Sequence, residues 1–384
     1  MTRNVLLVAF SAFFADMGYQ SAIALFPIFL VTVLGASASA FGLATAAAFG
    51  IGSFFGYLGG LMSSRFNDKK IAILGNSLIP LISLMGLTSS PLIAAALFSG
   101  GWWARNFRSP PRRVIFSNAT TVKNRAKAFG FLHALDIGGG ALSIVMLLAL
   151  ILIGIAVKTI LLLTIIPLVI STMLLFFIKE AKPGIANAKS KLVNITRKIA
   201  VQGNAYKGII IATSLYGFSS YTFGFPILTI SHVSNDLFGI GAYGVYLGVS
   251  AIAGYFIGSM GWNKIRTLSL AGYVLSGLGT LIIGIGYILQ LGLASLFLGV
   301  IVMGSGFGAI ETLEPTLISL IKSPKDIGRG MGALAGSRSI GIFSANLIMG
   351  ILYVINPGES YIYAATVAII AGAIVLVSGK GLKA

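Results

Sequence analysis

The chain has no cysteine. That excludes disulfides, thiolate metal sites and cysteine nucleophiles, and says nothing about compartment. Charge is scarce: 9% of the 384 residues are Asp, Glu, Lys or Arg, against about 25% in soluble domains. A water-soluble fold of this length has more surface than so little charge can cover, which argues against a cytosolic enzyme. Disorder needs low hydrophobicity, and 57% of this chain is hydrophobic. Acids are scarcer than bases, 9 against 27, for a formal charge of +18. A basic balance marks a nucleic-acid binder only when it is displayed on a polar domain, and no such domain is visible. There is no phosphate loop after a strand, no His-x-x-x-His zinc pair and no room for an ATPase domain. The expectation is therefore no metal, no cofactor and no enzyme.

What the chain has is long apolar runs. About 20 residues cross roughly 30 Å of hydrocarbon as a helix. The runs predict twelve spans: 5–33, 39–63, 71–88, 91–117, 126–153, 157–178, 208–232, 239–261, 268–288, 291–320, 328–355 and 361–379. Helices close their backbone hydrogen bonds internally. A β-barrel would show alternating segments of about 10 residues, unlike the unbroken run Ile144–Val157. The first run exceeds the 7–15-residue core of a cleavable signal and carries Asp16 in its middle, so it is expected to remain as a span.

Basic residues set the orientation. Arg3, Arg65, Lys69, Lys70, Lys123, Arg125, Lys127, Lys264, Arg266, Lys322, Lys325, Arg329, Lys380 and Lys383 fall on one side. The opposite loops hold only Lys158, with His232, Asp236 and Glu359. Positive-inside bias predicts a multi-pass plasma-membrane protein with both termini cytoplasmic. The charge is then mostly topology, and nucleic acid is not an expected partner. A basic stretch, 179–207, divides the chain into halves 1–178 and 208–384 and reads as a solvated linker facing anionic headgroups.

The halves resemble each other. Phe26-Pro27-Ile28 recurs as Phe225-Pro226-Ile227, and Gly18 meets Gly217, at an offset of 199. Phe54, Gly56 and Gly59 meet Phe256, Gly258 and Gly261 at an offset of 202, which continues to Gly130/Gly332 and Lys127/Arg329. An even number of spans separates the halves, so the repeat is parallel, and such proteins place their substrate site between the halves near the midplane.

Four acids lie inside spans, Asp16, Asp136, Glu311 and Glu314, with Arg105, Arg108, Arg112, Arg113 and Arg338. Asp16, Arg105, Asp136, Glu311 and Arg338 fall roughly 15–20 Å from their cytoplasmic ends at 1.5 Å per residue. The 202 register sets Asp136 against Arg338 and Arg112 against Glu314, with opposite charge each time. Two arrangements follow: Asp136 and Arg338 pair directly, or each binds a charge in its own half, with Arg105–Asp136 the local choice. Intramembrane acids point to substrate or proton pathways; the bland alternative is ion pairs that lock helices. Arg112 and Arg113 are expected to snorkel at the cytoplasmic end. Arg105, Arg108 and Arg112 share a helix face, and Pro110-Pro111 is expected to break that helix or weaken its hydrogen bonds. His133, one turn before Asp136, reads equally as a proton relay or as a helix–helix hydrogen bond. Asp16 has no basic residue on its own span, whereas Asp136 and Glu311 are expected closer to the arginines. Burial favours a protonated carboxyl and arginine an ionised one, so Asp16 is the expected titrating group, with Glu311 second. Glycine pairs Gly56/Gly60, Gly304/Gly308 and Gly328/Gly332/Gly336 permit close helix contact.

Twelve spans, parallel halves and a basic central loop resemble the major facilitator superfamily. Gly60-Leu61-Met62-Ser63-Ser64-Arg65-Phe66-Asn67-Asp68-Lys69-Lys70 resembles the family's loop Gly-x-Leu-x-Asp-Arg-x-Gly-Arg-Lys. The resemblance implies a gating loop carried by Gly60, Arg65, Asp68 and Lys69. The family's acid, which helps hold the halves together in the outward-facing form, is Ser64 here, so the latch falls to Asp68 or is absent. Arg105-Asn106-Phe107-Arg108-Ser109-Pro110-Pro111-Arg112, then Arg125-Ala126-Lys127-Ala128-Phe129-Gly130-Phe131 and His133-Ala134-Leu135-Asp136, are similar to a prokaryotic subgroup with Arg-x-x-Arg-x-Pro-x-Arg and Phe-Gly-Phe…Asp, as are Phe13-Phe14-Ala15-Asp16-Met17-Gly18 and Leu34-Gly35-Ala36-Ser37. The implied fold is all-α, two six-helix pseudo-symmetric halves around a cavity lined by spans 1, 4, 7 and 10. The implied function is secondary active transport of a small solute by alternating access. Proton coupling is expected, with a small-molecule substrate, protons and the bilayer as partners of a monomer. The competing class is a non-transporting scaffold or receptor, which would lose this costly charged layer at little penalty. An intramembrane enzyme lacks a paired nucleophile and base.

Overall fold

The computed structural model describes residues 2–119, 125–179, 199–259, 267–321 and 327–378. No strand occurs among them. We number the helices by the predicted spans. Helix 1 is Arg3–Pro27, continued by the wider π-helical turn Ile28–Val33; helix 2 runs from Ala38 to Arg65; helix 3 is Asp68–Leu78, continued to Leu87. Helix 4 is Pro91–Asn118, helix 5 Arg125–Leu152, and helix 6 Val157–Leu163 with Ile165–Phe176. Helix 7 is in two pieces, Ile199–Gly217 and Gly224–Val233. Helix 8 is Asp236–Ser259, helix 9 runs from Leu268 to Ile288, helix 10 is Leu293–Ile321, helix 11 Ile327–Ile355 and helix 12 Pro357–Ser378.

Among the described residues, ten of these are long and apolar enough to cross a membrane. The two that fall short have physical reasons. Helix 4 carries Arg105, Arg108, Arg112 and Arg113, and helix 7 is interrupted between Gly217 and Gly224. The interruption departs from the predicted continuous run 208–232. Pro226 sits in the first turn of the second piece, where a missing N–H costs nothing. Its counterpart Pro27 closes helix 1 and leads into the π-helical turn. Helix 7 also starts at Ile199, so the end of the predicted linker, from 199 to 207, is helical; its basic stretch 180–198 lies outside the described residues.

The chain separates into two compact units, Met1–Ile185 with Asn235–Gly244, and Ala186–Ser234 with Val245–Ala384. In the first, Val5, Val8, Ala9 and Ala12 of helix 1 pack on Phe116, Leu132 and Leu175. Hydroxyl contacts join its helices: Ser11 to Ser171 (2.8 Å to the carbonyl), Ser21 to Ser143 (2.6 Å) and Ser83 to Thr164 (2.7 Å). In the second, Ile209, Ala212 and Tyr216 pack on Leu268, Tyr273, Ile310 and Leu313, with Thr229 bonded to Tyr361 (2.6 Å). Such contacts average about 0.6 kcal/mol each in membrane proteins, so apolar packing and close approach hold each unit.

Close approach follows the repeat. Gly52 lies against Asn106 and Trp102, and Gly254, at the 202 register, lies against Gly308 and Thr312; residue 308 is itself the counterpart of 106. Gly139 lies on the Phe13 backbone and its counterpart Gly341 on the Gly217 backbone. Gly304 and Gly308 likewise meet the backbones of Tyr246 and Ser250, while Gly336 touches nothing within 4 Å.

Of the two outcomes expected at Pro110-Pro111, helix 4 takes the second: it runs unbroken from Pro91 to Asn118, with hydrogen bonds given up inside it. A proline frees the carbonyl four residues earlier, here those of Asn106 and Phe107. Gly56 and Gly59 of helix 2 face these two carbonyls, and Gly59 comes closer to Phe107 than any side chain would allow. Neighbouring backbone thus covers the freed groups, a recognised tolerance of proline in membrane helices.

Gly139→Ala should lower the thermal stability of the purified protein by about 1–3 kcal/mol through overpacking on Phe13. Gly138→Ala, one residue away with nothing within 4 Å of its added methyl, should leave the unfolding temperature unchanged or raise it. Equal losses in the two variants would contradict the packing.

Candidate functional site

Each unit buries charge, and the two do so differently. In the second unit, Arg338 of helix 11 binds two carboxylates of helix 10, Glu314 at 2.5 Å and Glu311 at 2.6 Å. Glu314 is 1% exposed. It also accepts hydrogen bonds from Thr213 of helix 7 (3.0 Å) and from the Tyr273 hydroxyl of helix 9. The Arg338 guanidinium lies 5.9 Å from the Tyr216 ring centre, and Tyr216 is bonded to Ser276 at 3.0 Å. The Glu311 side chain remains half exposed. Of the two arrangements open for Arg338, the structure takes the one inside its own half. Glu311, expected second among the proton sites, is tied to Arg338.

In the first unit, Asp16 of helix 1 is 5% exposed and Arg108 of helix 4 is 1% exposed. Arg108 donates to the Asn76 side-chain oxygen on helix 3. Asn76 donates to Thr172 (2.7 Å) and Ser171 (3.2 Å) of helix 6, and Ser171 donates to the Ser11 carbonyl (2.6 Å). A neutral chain through helices 4, 3, 6 and 1 therefore anchors this guanidinium. Arg105 donates to Asn106 Oδ1 at 3.2 Å and, weakly, to the Tyr19 hydroxyl at 3.5 Å. Arg112 keeps Nε and Nη1 buried and unpartnered, as Asp136 keeps Oδ1. Among the described residues, no guanidinium of this unit is within ion-pairing distance of a carboxylate.

Three expectations change here. Arg112 and Arg113, expected to behave alike, differ: Arg113 is exposed, whereas two nitrogens of Arg112 are buried within the protein. Asp16 is not remote from the arginines, since Arg105, Arg112 and Arg108, with Asp136, dominate the charge around it. The α-helical pitch of helix 4 brings its arginine face onto helix 1, which no single-helix argument could reveal. Arg105–Asp136, the local pairing, is not formed. The repeat makes the contrast sharp: positions 314 and 338 form a closed ion pair, while the equivalent positions 112 and 136, with reversed charges, leave their atoms unpartnered.

Asp68, the first residue of helix 3, accepts from Ser63, while Asn67 caps helix 3 by accepting from the Lys70 N–H (3.1 Å). Gly60 lies near Pro110. Lys69 is in the first turn of helix 3, and the Arg65 and His133 side chains lie outside the described residues. A hollow of about 60 Å³, room for a few waters, opens at the helix 7 interruption, lined by Tyr216, Ser219, Ser220, Tyr221, Phe223, Tyr246, Ser276, Thr280, Met303 and Phe307. No group of His, Asp and Glu that could hold a metal occurs among the described residues. Asn76 and the hollow were legible, as an amide in an apolar run and as a Gly-, Ser- and Tyr-rich segment; Thr213 and Tyr273 carried no signal.

A family model described as the Major Facilitator Superfamily matches residues 8–312. The chain belongs to the Major Facilitator Superfamily. It is a multi-pass membrane transporter, and members of its family are transporters rather than enzymes. An uncharacterized MFS-type transporter of Methanocaldococcus jannaschii is 24% identical, over 98% of this chain and 95% of its own. Among solved structures, a POT family transporter in complex with 5-aminolevulinic acid matches with a TM-score of 0.79 at 13% identity, covering 100% of this chain and 97% of that one. A bacterial homologue of the human lysosomal transporter Spinster, inward-facing and unoccupied, matches at 0.77 and 13%, covering 99% and 98%. A nucleoside transporter matches at 0.73 and 14%, covering 99% and 100%. At these identities the structural likeness establishes the major facilitator fold.

Removing one partner of a buried ion pair strands the other, at a cost of roughly 3–5 kcal/mol. Arg338→Met should therefore destabilise the purified protein strongly, and Arg338→Met with Glu314→Gln should recover part of the loss. Thermal unfolding of the two variants checks this; a double variant no more stable than the single would show that Glu314 does not depend on Arg338.

Proposed function

We propose that this transporter is a proton-coupled carrier that moves a small solute by alternating access, with Asp16 as the proton-binding group. The observation that carries the reading is a buried carboxylate without an ion pair, set among three guanidiniums and a second carboxylate. Gain of a proton at Asp16 changes the charge of that cluster by one unit without breaking a salt bridge. Glu314 is unsuited to the task, because protonating it would break its ion pair with Arg338. Glu311 ranks second, since it is half exposed but paired. Asp136 and Arg105 complete the solute-facing set, with His133 as relay. Arg108, Arg338 and Glu314 hold the helices that carry it. The loop of Gly60, Arg65, Asp68 and Lys69 acts as the gate. The positive-inside bias supports cytoplasmic termini, and residence in the plasma membrane as a monomer belongs to the same proposal.

The test uses proteoliposomes and a solute found by a thermal-shift screen of anionic, cationic and neutral metabolites, since a ligand of the native state raises stability. Asp16→Asn removes the charge and keeps the shape. Accumulation driven by a pH gradient should fail, while exchange between two equal pools persists. An Asn variant that still concentrates the solute when driven by pH would show that coupling lies elsewhere.

A further inference from the structure

Three guanidiniums and two carboxylates form the first unit's buried cluster. With all five ionised, and with Arg113 close to Arg112, Arg105 and Asp136, the row carries a surplus of positive charge that no acid in ion-pairing contact takes up. The three arginines are not equivalent. Arg108 is sealed and anchored on Asn76. Arg112 occupies the repeat position whose counterpart pairs with helix 11. Arg105 is different. It is partly exposed, and its guanidinium lies 4.8 Å from the Trp102 ring centre and 5.3 Å from that of Tyr19.

A guanidinium has five N–H donors in a planar fork, and the bonds to Asn106 and Tyr19 use two of them. Its partners, Asn106 and Tyr19, are both neutral, and its Nε, like those of Arg108 and Arg112, is buried without a partner. The platform is fixed. Tyr19 meets Trp102 edge-on at 5.9 Å, Phe49 meets Trp102 at 4.8 Å, and Gly52 closes on Asn106 and Trp102.

The geometry points to Arg105 as the binding residue for the carboxylate of an organic acid, with the partly exposed Trp102 beside it receiving the apolar body. This rests on the cluster being the solute site and names the substrate class. A planar carboxylate matches two parallel N–H donors of a guanidinium. Its negative charge offsets the surplus, whereas a cation would enlarge it.

The experiment measures thermal unfolding of the purified full chain in detergent, with no gradient. The probes are benzoate, phenylacetate and hexanoate; the matched neutral amides; benzylamine; and inorganic phosphate. The three acids should raise the unfolding temperature saturably, and the amides, the amine and phosphate should not. Arg105→Gln should weaken half-saturation by the acids by roughly 10- to 100-fold. Arg105→Lys, which keeps the charge and loses the planar fork, should fall between. Equal stabilisation by amides, stronger stabilisation by phosphate, no shift with any acid, or unchanged acid binding by Arg105→Gln would overturn the assignment. The comparison of acids with amides uses the unaltered chain, so it stands even where a variant fails to fold. Asp16-dependent accumulation of a solute lacking a carboxylate would overturn this assignment and leave proton coupling intact. Acid binding that needs Arg105, without pH-driven uptake, would do the reverse.

Discussion

A charge near the centre of a bilayer costs at least about 2.5–3.5 kcal/mol on insertion scales, and this chain places four carboxylates and five arginines within its spans. Each must find a partner, a dipole or water. That constraint explains features which composition leaves unconnected. Asn76 stands in an otherwise apolar helix because Arg108 needs an acceptor there. Thr213 and Tyr273 turn their hydroxyls to Glu314 because a carboxylate has several lone pairs and one arginine does not fill them.

The two units answer the same constraint in opposite ways. Around Glu314 every neighbour is a donor, so the acid is saturated and the arginine is held on two carboxylates. The site is closed, and a change of protonation there would leave buried groups unpartnered. Around Asp16 and Asp136 the arginines bond to neutral oxygens or to nothing, and Asp136 Oδ1 and Arg112 Nε and Nη1 stay unsatisfied, whereas at the Glu314 site the Arg338 Nε is left over but both carboxylates are bonded. Unsatisfied buried groups are rare in native structures and mark places where something else must enter or move. It is on this difference that the proposed proton and solute site is placed in the first unit.

The helices were legible because apolar length is a strong signal and the bilayer permits few alternatives. The repeat was legible because identical offsets recur over several helices. What failed did so for local reasons. Two consecutive prolines allow a break or a weakened helix, and the outcome turns on Gly56 and Gly59, whose bare backbones cover the freed carbonyls; that compensation belongs to another helix. The break came in helix 7, where a long apolar run is interrupted by a segment crowded with glycine, serine and aromatic residues. Asp16 has no base on its own helix, and the arginines near it come from helix 4. Pairings between helices depend on rotation about each axis, and an error of one residue turns a side chain by about 100°.

Reversing the charges at two repeat-related positions keeps a pair a pair, so the repeat alone does not explain why one closes and the other stays open. The neighbours decide it. At the Glu314 end, the next charge on the helix is Glu311, one turn back, and both carboxylates converge on a single arginine, which holds them together. At the Arg112 end, the neighbours on the same helix face are Arg108 and Arg105. Three like charges repel, and no single carboxylate can satisfy all of them. Arg108 withdraws onto Asn76, Arg105 lies against aromatic rings, and Asp136 keeps an oxygen unpartnered. The arginine row on one face of helix 4 therefore makes an open site out of the same two positions that form a lock in the other unit.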